Sequence, residues 1–205
     1  MKVLAISGSP REDSNTKTMI QQVLDELNKH ELDTELISLC DKSILPCKAC
    51  YHCVKHQSCI QKGDDFDELF TKVKNAEGLI LGTPVYHGAA TANLKAFIDR
   101  AGFLSRWVAS EMKEKNESYN FQGTVFSGKV GAPLTIARRT GQTFAFAELL
   151  LWFTVNDFVV VGSSYWNVGM AGKGGAVDVL EDEEGILNIK YFASNMASVI
   201  NKLNK

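Results

Sequence analysis

The sequence predicts an α/β protein: a doubly wound sheet of five parallel strands with a cysteine-rich loop inserted after the second. Three observations carry that expectation. Short apolar runs with β-branched residues, such as KVLAIS at Lys2–Ser7 and GLILGT at Gly78–Thr83, read as strands covered on both faces. They alternate with helical stretches, the rhythm of parallel strands joined by right-handed crossovers. The loops with distinctive chemistry all follow strands, at the edge where such sheets bind ligands.

Taken in order, Lys2–Ser7 is the first strand, and Met19, Ile20, Val23, Leu24 and Leu27 then recur at helical spacing, so a helix is expected from Thr16 to about Lys29. Thr34–Leu39 is the second strand. After the cysteine loop, Phe66, Leu69, Phe70 and Val73 mark a helix whose amino end Asp64 and Asp65 are suited to cap. Gly78–Thr83 is the third strand, followed by a helix near Ala92–Ala101. Residues 102–123 read as irregular, with Phe103, Trp107, Tyr119 and Phe121 among them. Lys129–Ala137 is the fourth strand, in which Pro133 implies a strand end or a bulge. A helix from Gln142 to about Val155 leads to a fifth strand at Phe158–Gly162. The Gly-rich, then acidic stretch 163–185 is a long loop of the functional or mobile kind. The last helix sets Ile189, Phe192, Met196, Val199, Ile200 and Leu203 on one face.

At 205 residues the chain is expected to form one domain. A hydrophobic content of 45% and a charged content of 22% suit a soluble globular protein, and no apolar run approaches the roughly 18 residues of a membrane span. The amino terminus opens on a strand instead of a targeting segment. A cytoplasmic protein with reduced thiols is therefore expected. A net charge of −2 leaves no electrostatic footprint for nucleic acid.

The cysteine loop reads CKACYHCVKHQSC. Cys47, Cys50 and Cys53 stand three residues apart, and Cys59 follows within reach. Compact runs of this kind ligate iron–sulfur clusters, and four thiolates complete one 4Fe-4S cube. Zinc ranks second, since four-cysteine zinc sites usually join two CxxC knuckles across a longer spacer. Unligated, packed thiols rank third. Cys40 lies outside the motif and reads as a packed residue at a strand end. Lys42, Lys48, Lys55 and Lys62 surround the loop, opposed by Asp41, and would favour thiolates and steer an acidic redox partner, unless they are simply solvated.

The loop after the first strand gathers Ser9, Arg11, Ser14, Asn15 and Thr16 at a helix amino end, a ready phosphate site. It lacks both GxGxxG and the Gly-Lys-Ser/Thr of a P-loop, which favours a flavin monophosphate over NAD or ATP. Glu12 and Asp13 would oppose a phosphate unless they face solvent. Pro84, Val85, Tyr86, His87 and Gly88 after the third strand, with Arg138, Thr140 and Gly141 after the fourth, can border a flat ring.

These stretches, GSPREDSNT, TPVYHG and RRTGQ, resemble the NADPH-dependent FMN reductase family of flavodoxin-like proteins. The cysteine loop is similar to that of the iron-sulfur flavoproteins of anaerobic archaea and bacteria. The resemblance implies one FMN and one 4Fe-4S cluster per subunit, with Cys47, Cys50, Cys53 and Cys59 as cluster ligands. It also implies assembly as homodimers or dimers of dimers. Thr140 stands where relatives often carry a glycine. The function expected is transfer of electrons from a ferredoxin-like donor through the cluster to FMN and on to a small-molecule acceptor. The alternatives are an NAD(P)H-dependent flavin or quinone reductase without a working cluster, and a redox or metal sensor.

Overall fold

In the computed structural model, which describes residues 1–110 and 123–204, the side chains of β1 (Lys2–Ser7) enter two cores alternately. Leu4 and Ile6 pack on one side of the sheet and Val3 and Ala5 on the other, as the two-residue period of a strand requires. β1 lies between β2 (Asp33–Ser38) and β3 (Gly78–Pro84), and β3 pairs with β4 (Val130–Ala137), all in parallel. The order is β2-β1-β3-β4-β5, so the chain reverses its winding between β1 and β3 and opens a crevice beyond their carboxyl ends.

α1 (Asn15–Lys29) and α6 (Glu183–Leu203) cover one face, through residues including Met19, Ile20, Phe192 and Met196. α3 (Phe66–Asn75), α4 (Ala92–Ala109) and α5 (Gln142–Val155) cover the other, through Phe66, Phe97 and Phe153 among others. A five-residue helix, α2 (His52–His56), lies inside the cysteine loop. Among the described residues no helix is long and apolar enough to cross a membrane.

Four sequence expectations need correction. The stretch read as irregular from Gly102 continues α4 to Ala109, with Leu104 and Ser105 buried on it; Tyr119 and Phe121 lie outside the described residues. Gly102 is tolerated inside this helix because α5 comes close: a Cβ there would stand 2.8 Å from Trp152 Nε1. Phe158–Gly162 is not one full strand. Pairing is limited to β5 (Val159–Val160), and β6 (Val168–Met170) takes the place beside the second half of β4.

Pro133 explains that break. It lies in the middle of β4, neither at an end nor at a bulge, paired with Leu81 of β3. Its missing N–H falls on the other side, between β5 and β6, where Asn167 Nδ2 donates to the Pro133 carbonyl at 3.2 Å. A proline is tolerated inside a sheet only where no ladder bond is required of it. Finally, Asp64 and Asp65 mainly serve the cysteine loop instead of capping α3: Asp65 makes no side-chain bond to that helix, and Asp64 reaches the Phe66 N–H only at 3.4 Å.

Candidate functional site

The loop after β1 is built largely from backbone. Gly8 donates its N–H to Gly82 O at 2.7 Å, and Thr91 Oγ1 donates to Gly8 O at 2.6 Å, fixing the turn against β3 and the start of α4. A Cβ on Gly8 would sit 2.9 Å from Leu94 Cβ, so only glycine allows that approach. Ser14 caps α1, its hydroxyl accepting from Lys17 N at 3.2 Å. The N–H groups of Asn15 and Thr16 precede the first intrahelical bond, from Thr18 N to Ser14 O, and are left for another acceptor.

A cleft of about 280 Å³ opens at this point. It is lined by Ser9, Arg11, Ser14, Asn15 and Thr16 from the first loop, by Pro84, Val85 and Tyr86 from the loop after β3, and by Arg138 after β4. Thr16 Oγ1 is buried without a partner, a donor waiting for an acceptor beside the positive end of α1. The arrangement fits a phosphate monoester with a flat group extending toward Tyr86. Asp13 also lines the cleft and is exposed, as is Glu12.

Other expected contacts are placed differently. The Asn15 side chain bonds to the chain itself: Nδ2 donates to Ala176 O, and Oδ1 accepts from the Asp178 and Val179 N–H groups, each at 2.8 Å. His87 and Gly88 form the tip of a tight turn at φ 52° and 80°, closed by two bonds between Tyr86 and Ala89, and neither lines the cleft. Gly141, at φ 91°, supports that turn from beneath, since a Cβ on it would meet Val85 Cγ1 at 3.1 Å. Thr140 is exposed and does not line the cleft.

Sequence reasoning missed the fourth wall. Ala171, Gly172, Gly175, Ala176 and Val177, from the long loop before α6, close the cleft opposite Pro84 and Tyr86. Arg11 donates to Gly175 O at 3.2 Å, so both residues lie at the seam between the two loops. The glycines of that stretch were the available signal.

The second site is the cysteine loop. Cys47, Cys50, Cys53 and Cys59 all line one pocket, with Tyr51, Ile60, Arg100, Phe103 and Leu104 also around it. Cys47 and Cys50 are exposed, and Cys53 and Cys59 are half-buried. Burial pushes the Cys53 thiol up, and the neighbouring thiols add to this. Ala49 and Tyr51 have φ of 49° and 58°, a left-handed conformation costing a non-glycine residue about 1–2 kcal/mol, and Gln57 repeats it after α2. Such strain persists only where surrounding contacts impose it.

Those contacts come from side chains. Asp65 accepts from Ser43 N at 2.8 Å and Asp64 from Leu45 N at 2.9 Å, holding the incoming arm of the loop. Arg100 of α4 reaches both arms, and its ion pair with Asp64 is 2% exposed on either side chain. Burial works against both charges. The pair and its hydrogen bonds nonetheless leave Asp64 below and Arg100 above its ordinary pKa. Neither residue's role was legible beforehand, since an arginine inside a helix reads as a solvated charge.

Among the described residues, no three His, Cys, Asp or Glu side chains converge to chelate a single metal ion. Four thiolates about 2.3 Å from one zinc would be drawn into contact with each other. The cleft and the cysteine pocket share no lining residue.

Residues 1–173 match the family described as NADPH-dependent FMN reductase. The chain is 31% identical to an iron-sulfur flavoprotein of Methanocaldococcus jannaschii across the whole of both chains, and 30% identical to one of Archaeoglobus fulgidus over 98% of each. A flavodoxin from the domain Archaea superposes with a TM-score of 0.61 over 98% of this chain and 99% of its own, at 13% identity, a likeness of fold alone. With its flavodoxin-like sheet and its phosphate-suited cleft, the chain belongs to the NADPH-dependent FMN reductase family, beside the iron-sulfur flavoproteins, and is an FMN-dependent oxidoreductase.

Proposed function

We propose that this protein is an electron-transfer flavoprotein that receives electrons from a ferredoxin-like donor at a 4Fe-4S cluster and delivers them, through FMN, to a small acceptor such as a quinone, oxygen or peroxide. The observation that carries this reading is the lining of one pocket by Cys47, Cys50, Cys53 and Cys59. When bound, the cluster supplies single-electron transfer and FMN the pairing of electrons, as cofactors do in such proteins. The protein's part is to hold and insulate. The α1 amino end and Thr16 suit the phosphate, Tyr86 and Val85 border the ring position, and Phe103 and Leu104 give the thiols an apolar wall.

Two further features support the reading. Lys48 and Lys55 are both exposed on the cysteine loop, placing positive charge where an acidic donor would dock, whereas Lys42 and Lys62 are paired with Asp65 and Asp67. Arg100 at the cysteine pocket lies nine residues along α4 from Thr91, roughly 14 Å at helical rise, while Thr91 anchors the phosphate loop. The family resemblance implies a route between subunits of a homodimer or dimer of dimers. α5 offers a surface for assembly: Phe144, Leu151 and Val155 are 73%, 66% and 57% exposed.

The test is anaerobic purification with iron, sulfide, zinc and FMN counted on one sample, and visible spectra before and after adding reduced ferredoxin. About four irons and four sulfides per FMN, with both absorbances bleaching, is the expected result. FMN without iron or sulfide, bleached directly by NAD(P)H, overturns it and leaves a flavin reductase, the reading favoured by the family's description.

A further inference from the structure

Arg100 is 3% exposed, and its guanidinium is nearly encircled by the cysteine loop. Nη1 donates to the Asp64 carboxylate and, at 3.1 Å, to Leu45 O, two residues before Cys47. Nη2 donates to Gln61 O at 3.3 Å, two residues after Cys59, and to Cys59 Sγ itself at 3.2 Å. The guanidinium carbon stands 3.9 Å from the centre of the Phe66 ring. One rigid fork thus joins both arms of the loop to α4 and points a charged donor at one of the four sulfurs. A buried ion pair is weak evidence for stability, because apolar residues of the same volume often serve as well. The contact to sulfur suggests what the charge is for.

We propose that Arg100 is a positioning residue of the metal centre: it holds Cys59 and the two loop arms in ligating position, and its N–H···S bond raises the reduction potential of a cluster ligated there. This rests on the cluster reading above. Reduction adds negative charge that spreads onto the ligand thiolates, and a guanidinium donor stabilises the reduced form more than the oxidised one. Among the described residues, Cys47 receives a backbone N–H, from Ala49 at 3.4 Å. Lysine keeps the charge but has no planar fork to serve the same acceptors together.

The test uses the full-length protein purified anaerobically, comparing wild type with Arg100→Lys and Asp64→Asn. Iron, sulfide and FMN are counted first, and the cluster midpoint is then titrated by electron paramagnetic resonance. Arg100→Lys is expected to retain FMN, to show a midpoint more negative than wild type, and to lose iron to a chelator about 10-fold faster, the lower end of what outer partners of metal ligands contribute. Asp64→Asn, which keeps the Arg100 charge and its reach to Cys59, should unfold more easily while its midpoint does not fall below wild type. Midpoint and iron loss both unchanged in Arg100→Lys overturn the proposal. So do equal changes in the two variants, which would mark a structural role alone. Should Arg100→Lys fail to fold, wild type carrying guanidinium-15N arginine decides the matter: a 15N hyperfine coupling to the reduced cluster supports the bond, and its absence overturns it. Wild type without iron and sulfide overturns the cluster reading itself, and this role with it.

Discussion

The loops that follow β1 and β2 both leave the carboxyl edge of the sheet, yet they are held in opposite ways. The first is fixed by peptide groups: Gly8 bonds to Gly82 across the switch point, the α1 cap Ser14 follows six residues after it, and the Asn15 side chain clamps 176–179 over it. The second has no glycine before Gly63, makes its bends with left-handed Ala49, Tyr51 and Gln57, and leans on Asp64, Asp65 and Arg100. The difference follows from what each is suited to hold. An anion is met by aimed N–H groups, which only a rigid backbone keeps in place. Thiolates that converge on a metal must come from side chains, and the loop carrying them needs outside anchors.

The sharpest way to break this comparison is to remove one such anchor. Asp64→Ala leaves the Arg100 charge buried and unpaired and is expected to destabilise the protein by about 3–5 kcal/mol, read by urea unfolding of the full chain. Hydrogen exchange should show residues 43–62 opening first while the β1 loop stays protected. Equal opening of both loops would mean that they are not separately held.

Gly8→Ala attacks the other loop. Its Cβ meets Leu94 at 2.9 Å and Thr91 Oγ1 at 3.1 Å, so overpacking of about 1–3 kcal/mol is expected, with weaker FMN binding measured by flavin fluorescence. Unchanged FMN affinity would show that the turn has slack. Asn15→Ala is expected to cost about 1–3 kcal/mol by leaving the Asp178 and Val179 N–H groups without their acceptor. Faster hydrogen exchange at 176–179, with α1 itself intact, is the reading to look for.

The smallest effect lies outside both loops. Hydrogen bonds from Lys2 and Lys72 hold the Glu35 carboxyl below its ordinary range. A depressed carboxylate contributes stability that is complete above its unfolded pKa and is lost as pH falls through the lowered value. Glu35→Gln should therefore flatten the acid side of the stability profile slightly and leave FMN affinity unchanged. A change in FMN affinity would mean that the edge strand β2 and the cleft are coupled.

Much of the site was legible because its chemistry is local. Four cysteines within thirteen residues, and a polar run with Ser14 at a helix amino end, each announce themselves within a few positions of sequence. Asn15 shows the limit. A polar residue at a helix start suggests a ligand contact, but a loop some 160 residues further on occupies it.

The sequence alone determined the sheet, its parallel sense and the helices on its two faces, because burial imposes periods of two and 3.6 residues that need no partner to be read. It also determined which strand ends carry the chemistry. Only the tertiary structure decided that β4 accommodates Pro133 by dividing its neighbour, that 171–177 walls the cleft, and that Arg100 anchors the cysteine loop. Each of these is a meeting of residues more than thirty positions apart, and such contacts depend on how the faces pack and leave no period in the chain.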